Sequence, residues 1–196
     1  MAPRQIDLDR RPRLTRVDIA TAAVELVERD GLDALTMRRL AEALGCAPMS
    51  LYTHVSSRDD LVAAIIGLLI AQLEVDHRDG EDWQGLMRRA WTSYRDLAVR
   101  LPRSFELLAS ARNDLPVVAD HLAAVVRSLE RAGLEHDHAR QILGITDAFA
   151  SGFLLVWVRN RDDAAPADEF EVGAPGSIAL FDRGLEAMIA GLAASL

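Results

Sequence analysis

Between Thr36 and Arg58 the chain concentrates side chains suited to gripping a polyanion. Thr36, Tyr52, His54, Ser57 and Arg58 bring hydroxyl, phenol, imidazole and guanidinium groups, the types that contact phosphate oxygens. Interleaved with them are Ala47, Pro48, Met49, Ser50 and Thr53, short or flexible side chains of the kind that reaches base edges in a groove. Ser50 and Thr53 can hydrogen-bond bases. Pro48, Met49 and the Thr53 methyl can press on thymine methyl groups. This set is weakly polar, so base reading would rest partly on Arg38. Two structural roles stand beside these: Tyr52 as a core aromatic with an exposed tip, and His54 as a capping or surface histidine.

Catalysis finds no comparable set. There is no Ser/His/Asp or Cys/His logic and no phosphate-binding glycine loop. His136-x-His138 is the nearest approach to a metal pair, but i, i+2 spacing on a helix points the two rings apart. No enzyme, metal site or cofactor is expected. An enzyme on an all-α scaffold is the competing class, and the discriminator is that a regulator needs a palindromic target and an enzyme does not.

The groups from Thr36 to Arg58 need elements that hold them. Thr36 can cap a short helix through Ala43, whose inward face is Leu40, Ala43 and Leu44. Gly45 allows the positive φ of a sharp turn. Pro48 opens a second short helix, at about 48–54, with Leu51 and Val55 facing back. This is a helix-turn-helix that would lay its second helix in the major groove. Before it, a helix from Arg16 to Arg29 has Thr15 as cap, a buried stripe of Ile19, Ala20, Ala23, Leu26 and Val27, and Gly31 as its end. After it, a long helix starts near Ser57, with Asp59 and Asp60 in its first turn, and runs to about His77.

Downstream, Trp83, Leu86, Met87, Ala90, Trp91, Tyr94 and Leu97 repeat at helical spacing. Pro102 and Pro116 divide a helix near 104–111 from one at about 116–132. Another passes through Ile142, Ile145, Phe149, Phe153 and Val156. Residues 159–176 have no periodicity and read as a flexible loop. The last helix, 177–193, aligns Ile178, Phe181, Leu185, Met188, Ile189 and Leu192. The fold class is therefore all-α: a flexible basic N-terminal arm at 1–14, a three-helix helix-turn-helix domain at 15–60, and a larger helical domain at 61–196.

The 196 residues carry 22 arginines and no lysine, against 30 acids, for a net charge of −8. The charge divides unevenly. Residues 1–58 hold nine arginines against eight acids, and residues 59–196 hold 13 against 22. An acidic body with a relatively basic head is repelled by a duplex everywhere except at the head. Arg10, Arg11 and Arg13 in the arm could follow the backbone or the minor groove, or be disordered. No signal peptide is evident. The apolar run 61–73 is too short for a bilayer, which needs about 20 residues. The single Cys46 fits a reducing compartment and a small apolar position in the turn. A cytoplasmic protein with no membrane partner is expected.

The sequence Ser50-Leu-Tyr-Thr-His-Val-Ser-Ser-Arg-Asp-Asp-Leu61, with Leu35-Thr-Met-Arg-Arg-Leu-Ala41 upstream, resembles the tetracycline-repressor (TetR) family of bacterial transcription regulators. The match is close over residues 14–61. It continues through 83–95, 107–112, 123–133 and 184–192, which look like the tetracycline-repressor type of C-terminal domain. The resemblance implies a homodimer joined by a four-helix bundle of the two C-terminal helices, a palindromic double-stranded DNA operator, and release by a small-molecule effector. It supports Tyr52, His54 and Arg58 on phosphates and Arg38 near a base. A regulator controlled by a protein partner is the remaining alternative.

The large side chains of the body make up the expected effector site: Trp91, Tyr94, Phe105, Leu108, Arg112, Asp147, Phe149, Phe153 and Trp157. Core packing is the competing role for each. By resemblance, Arg112 and Tyr94 fall on ligand-contact positions. The magnesium-holding histidine and supporting glutamate of tetracycline repressors correspond to Leu108 and Val156, a drug-contacting histidine to Glu74, and an asparagine to Ala90. Tetracycline with magnesium is therefore not the expected effector. A more apolar or aromatic molecule is.

Overall fold

The computed structural model describes residues 14–161 and 178–196. The arm with Arg10, Arg11 and Arg13, and most of the expected loop, lie outside the described residues. Among the described residues the chain is helical with no strand, as expected. The helices are α1 (Arg16–Asp30), α2 (Met37–Ala43), α3 (Pro48–Leu51), α4 (Arg58–Ile70), α5 (Trp83–Arg100), α6 (Pro102–Ala109), α7 (Pro116–Arg131), α8 (His136–Asn160) and α9 (Ile178–Ala193). Arg159 and Asn160, expected in the loop, end α8 instead.

The head forms as its caps dictate. The Thr15 hydroxyl accepts from the Asp18 amide at 3.1 Å, and the Asp18 carboxylate accepts from the Thr15 amide at 2.8 Å, a reciprocal start for α1. The expected stripe from Ile19 to Val27 is buried. Gly31, at φ 85°, ends the helix. A short 3-10 turn at Leu32–Ala34, without periodic signal, precedes Thr36, whose hydroxyl accepts from the Arg39 amide at 3.2 Å and caps α2. Gly45, at φ 62°, makes the turn of the motif. Leu51 and Val55 are fully buried, as expected.

Three further boundaries differ from the expected ones. The second motif helix is a single turn, because the His54 amide returns to the Leu51 carbonyl at 2.9 Å, an i to i−3 bond that tightens the chain. Next, α4 ends at Ile70, short of His77. Its continuation is drawn off by α5: the Ser93 hydroxyl accepts the Glu74 amide at 3.0 Å, and the Arg89 guanidinium donates to the carbonyls of Glu74 and Asp76 at 2.6 and 2.7 Å. Those are backbone groups that a longer helix would have needed for itself. The third difference is α6, which starts two residues early, with Pro102 in its first turn.

In the body α5 packs against α6, α8 and α9, and α4 packs against α1, α6 and α7. The α5 stripe from Trp83 to Leu97 is buried in full. On α8 the inward face is Ile142, Thr146, Ala150, Leu154 and Val158, whereas Ile145 and Val156, expected inward, are each about half exposed. On α9 Phe181, Leu185 and Ile189 are buried.

Candidate nucleic-acid interface and effector cavity

Most of the expected DNA-contacting residues are exposed on the helix-turn-helix segment. Ala47, Pro48, Met49, Ser50, Tyr52 and Thr53 are all exposed, Met49 to 73%. The Thr53 hydroxyl donates to the Ser50 carbonyl at 2.7 Å, so its oxygen remains free to accept. Thr36 and Ser57 are exposed caps: the Ser57 hydroxyl accepts from the Asp60 amide at 3.1 Å and starts α4. Arg38 is exposed and loosely paired with Glu42 at 3.8 Å. Arg58 is exposed and makes no ion pair among the described residues, whereas His54 is half-buried.

One feature of this surface has no local sequence signal. Arg16 on α1 donates to the carbonyls of His54 and Asp60, each at 3.0 Å, and to the Asp60 carboxylate. Asp60 also accepts from the Ser56 amide at 2.8 Å and the Ser56 hydroxyl at 3.1 Å. The Arg16 guanidinium and the Ser56 amide hold the Asp60 carboxyl far below the usual carboxylate range. The end of the recognition segment is thereby tied to α1 and to the first turn of α4.

A second joint ties α1 to the body. The Glu28 carboxylate accepts from the Ser104 amide at 2.6 Å and from the Arg103 amide at 3.4 Å, capping α6, which has no side-chain cap of its own. In return the Arg103 guanidinium donates to the carbonyls of Glu28 and Arg29 at 2.7 and 3.1 Å, at the end of α1. An acid therefore meets a helix N-terminus, and a cation meets a helix C-terminus.

Inside the body lies a cavity of about 110 Å³. Ile70 at the end of α4, with Leu73 and Val75 after it, forms one wall, and Leu108 and Ala109 at the end of α6 form another. From α5 come Met87, Ala90, Trp91 and Tyr94; from α7, Val118, His121, Leu122 and Val125; and from α8, Leu143, Asp147 and Ser151. The polar groups form a chain. Ser151 donates to Asp147 at 3.3 Å, so its 3.1 Å contact with the Tyr94 phenol has the phenol as donor. Burial raises the Asp147 carboxyl and the Tyr94 phenol above their ordinary pKa values and lowers that of the His121 imidazole. The Trp91 indole N–H is buried without a hydrogen-bond partner among the described residues.

Of the expected effector residues, Trp91, Tyr94, Leu108 and Asp147 line this cavity. Phe105 stands behind it, fully buried and edge-on to Tyr94 at 4.8 Å. The other four lie elsewhere. Arg112 is solvent-exposed and bound to Asp114 at 2.9 Å. Phe149 and Phe153 pack on Phe181 of α9 at 5.6 and 5.7 Å, filling the seam between the last two helices. Trp157 is half-buried against the core. Sequence reasoning missed Ser151 and His121. Ser151 sits one turn beyond Asp147 and so shares its face, a signal that was there to use. Leu108 places hydrocarbon in the wall, Val156 is half exposed, and the Glu74 side chain pairs with Arg78 outside the cavity. Among the described residues no three His, Cys, Asp or Glu side chains converge.

Residues 19–65 match the model of the bacterial regulatory proteins, tetR family. An HTH-type transcriptional regulator of Saccharopolyspora erythraea is 27% identical, over 94% of this chain and 87% of its own length. Among solved structures, the TetR family protein ActR of Streptomyces coelicolor, in complex with actinorhodin, is similar at a TM-score of 0.75 and 25% identity, covering 94% of this chain and 97% of that one. A TetR variant from Acinetobacter baumannii in complex with minocycline is similar at 0.73 and 25%, covering 91% and 96%.

Proposed function

The chain belongs to the tetR family of bacterial regulatory proteins, and we propose that it is a cytoplasmic repressor that binds a palindromic operator as a homodimer and is released by a small, largely apolar or aromatic molecule. It is a helix-turn-helix transcriptional regulator, and its relatives are regulators and not enzymes. The observation that carries the effector reading is a shared pair of levers. The two helices that close the cavity with their C-terminal ends, α4 and α6, are tied near their N-terminal ends to the head. For α4 the tie is Arg16 with Asp60; for α6 it is Glu28 with Arg103. A molecule that parts the cavity walls therefore moves both joints and re-aims the recognition segment, which is a coupling free energy between two sites.

The cavity's size supports displacement over passive filling. Its 110 Å³ compares with the roughly 150 Å³ that holds one benzene ring. An effector larger than one ring has to spread the walls; the similar ActR and TetR structures carry actinorhodin and minocycline.

The homodimer reading rests on α8 and α9. Ile145, Val156 and Leu180 are large apolar side chains left between 37% and 49% exposed on these two helices. Helix α8 is also long and apolar enough to cross a membrane by length and composition. Its exposed face is assigned to a second copy of the chain, in a four-helix bundle; the polar Asp147 and the packing of its other face on α6, α7 and α9 favour that reading over lipid. Two heads held by one bundle read two half-sites about one helical turn apart.

The deciding experiment is selection from a random duplex pool by the purified protein, followed by a salt titration of the selected sequence. A palindrome bound with a steep salt dependence is expected. A folded dimer that recovers no preferred sequence would defeat the operator reading.

A further inference from the structure

We propose that the cavity between α5, α7 and α8 is built for an organic cation: a protonated or quaternary amine with an aromatic or otherwise apolar body. The proposal rests on the reading of this cavity as the effector site and adds the charge of the molecule it takes.

The argument starts with Asp147. Its carboxyl lines a mainly hydrocarbon cavity, and its one hydrogen-bond partner among the described residues is the Ser151 hydroxyl, at 3.3 Å. No arginine or histidine comes within ion-pair distance of it. His121 lines the same cavity, but burial favours its neutral form. Arg127 and Arg140 border the open groove on the outer side, which Asp147 also touches, and neither pairs with it. A half-buried carboxyl facing a mainly hydrocarbon cavity without a cation beside it is a costly arrangement, and protein interiors pair or exclude such groups. Where a cleft retains one, it marks a site awaiting its counter-charge.

The alternatives fare worse on the same geometry. An anionic ligand would be driven against Asp147. A neutral hydrocarbon would strip the carboxyl of its remaining water and return nothing for it. A cation supplies the missing charge in a low-dielectric setting, beside the Trp91 and Tyr94 rings, which lie edge to face at 5.5 Å and add cation–π attraction. The unpartnered Trp91 N–H is a second request, for a hydrogen-bond acceptor on the same molecule.

A matched pair of one-ring probes tests this. (3-Hydroxyphenyl)trimethylammonium and 3-tert-butylphenol have the same shape and the same phenol, and differ by a unit of charge. Calorimetric titration of the full chain is expected to show the ammonium bound about tenfold or more tightly. Asp147→Asn should abolish that preference, with 3-tert-butylphenol bound at least as tightly as by the wild-type chain because no carboxylate is then desolvated, and circular dichroism checks the fold; Asp147→Ser serves if the amide variant is unstable. Equal or weaker binding of the ammonium by the wild-type chain, or a preference that survives loss of the carboxyl, overturns the cation proposal and leaves the effector cavity standing. Failure of both probes to bind at millimolar concentration overturns the effector cavity and the cation proposal together.

Discussion

Replacing Glu28 by alanine tests the joint between head and body directly. The substitution removes the acceptor at 2.6 Å from the Ser104 amide and at 3.4 Å from the Arg103 amide, and α6 has no other side-chain cap. Loss of a helix cap costs about 1 kcal/mol, loss of an acid from a helix N-terminus up to about 1 more, and a stranded part-buried amide falls in the same range. These contributions describe one set of contacts and overlap, so the expected loss is about 2 kcal/mol. Glu28→Gln keeps an acceptor without the charge and should lose about half of that. In urea the alanine variant's midpoint should fall by about 1 M, measured at one protein concentration because the stability of the proposed dimer depends on it. Arg103→Ala removes the return bonds to the carbonyls of Glu28 and Arg29. The double variant should lose less than the sum of the two, since each half of the joint positions the other. The functional consequence is separable from stability: operator affinity without effector should change modestly, and the effector concentration needed for release should rise. A Glu28→Ala variant within 0.5 kcal/mol of wild type would mean that water replaces the carboxylate without loss. An unchanged effector response would then remove α6 as a lever.

Further outcomes follow from the same contacts. Tyr52→Phe should weaken binding to all duplexes by a similar factor in a gel-shift or anisotropy titration; a changed sequence preference would refute the phosphate assignment. Ile145→Arg, on the exposed face of α8, should yield a folded monomer by analytical ultracentrifugation and abolish tight operator binding; a persistent dimer would move the interface elsewhere. Asp147→Asn should change the pH dependence of stability. The folded carboxyl, raised by burial, binds its proton more tightly than the unfolded one, so wild-type stability falls as pH rises from the ordinary carboxylate range through the raised value. The variant should be the more stable at neutral pH, with the difference vanishing toward pH 4. His121, lowered by burial, imposes the opposite slope just below its ordinary value; it and Tyr94, Arg127, Glu130, His136 and Arg140 are common to both proteins and cancel in the difference. A difference independent of pH would refute the burial of an ionisable carboxyl.

The head was legible because its structure is local. Caps, a glycine at positive φ and three-to-four spacing act within a few residues, so Thr15, Thr36, Gly45 and Ser57 fall where the chemistry of their own neighbourhood requires. What was not legible is long-range. Arg16 meets Asp60 across 44 positions, and Glu28 meets Ser104 across 76. The same limit explains α4. Its apolar run continues past Ile70, but Arg89 and Ser93, on a helix that starts thirteen residues later, claim the backbone of Glu74 and Asp76. Local preference yields when a neighbouring element satisfies the same backbone groups otherwise.

The proposed effector site shows why residue type identifies only half of a pocket. Arg112 and Asp147 both read as charges in an apolar body, and so as equal candidates. Asp114, two residues along, takes Arg112 to the surface. Asp147 has Thr146 and Ala148 as neighbours and a serine one turn on, so nothing adjacent to it in the sequence neutralises it. The aromatic residues divide in the same way. Phe149 and Phe153 find Phe181 on α9 and are consumed in packing, whereas Trp91 retains an unsatisfied N–H. A side chain whose demands are met inside the protein has nothing left to offer a ligand. Two under-satisfied groups of the cavity — a carboxyl without a cation and an indole without an acceptor among the described residues — are ones whose free energy an arriving molecule can lower. They lie in a cavity whose walls are the ends of α4 and α6, the helices tied to the head, so that same free energy is available to shift it.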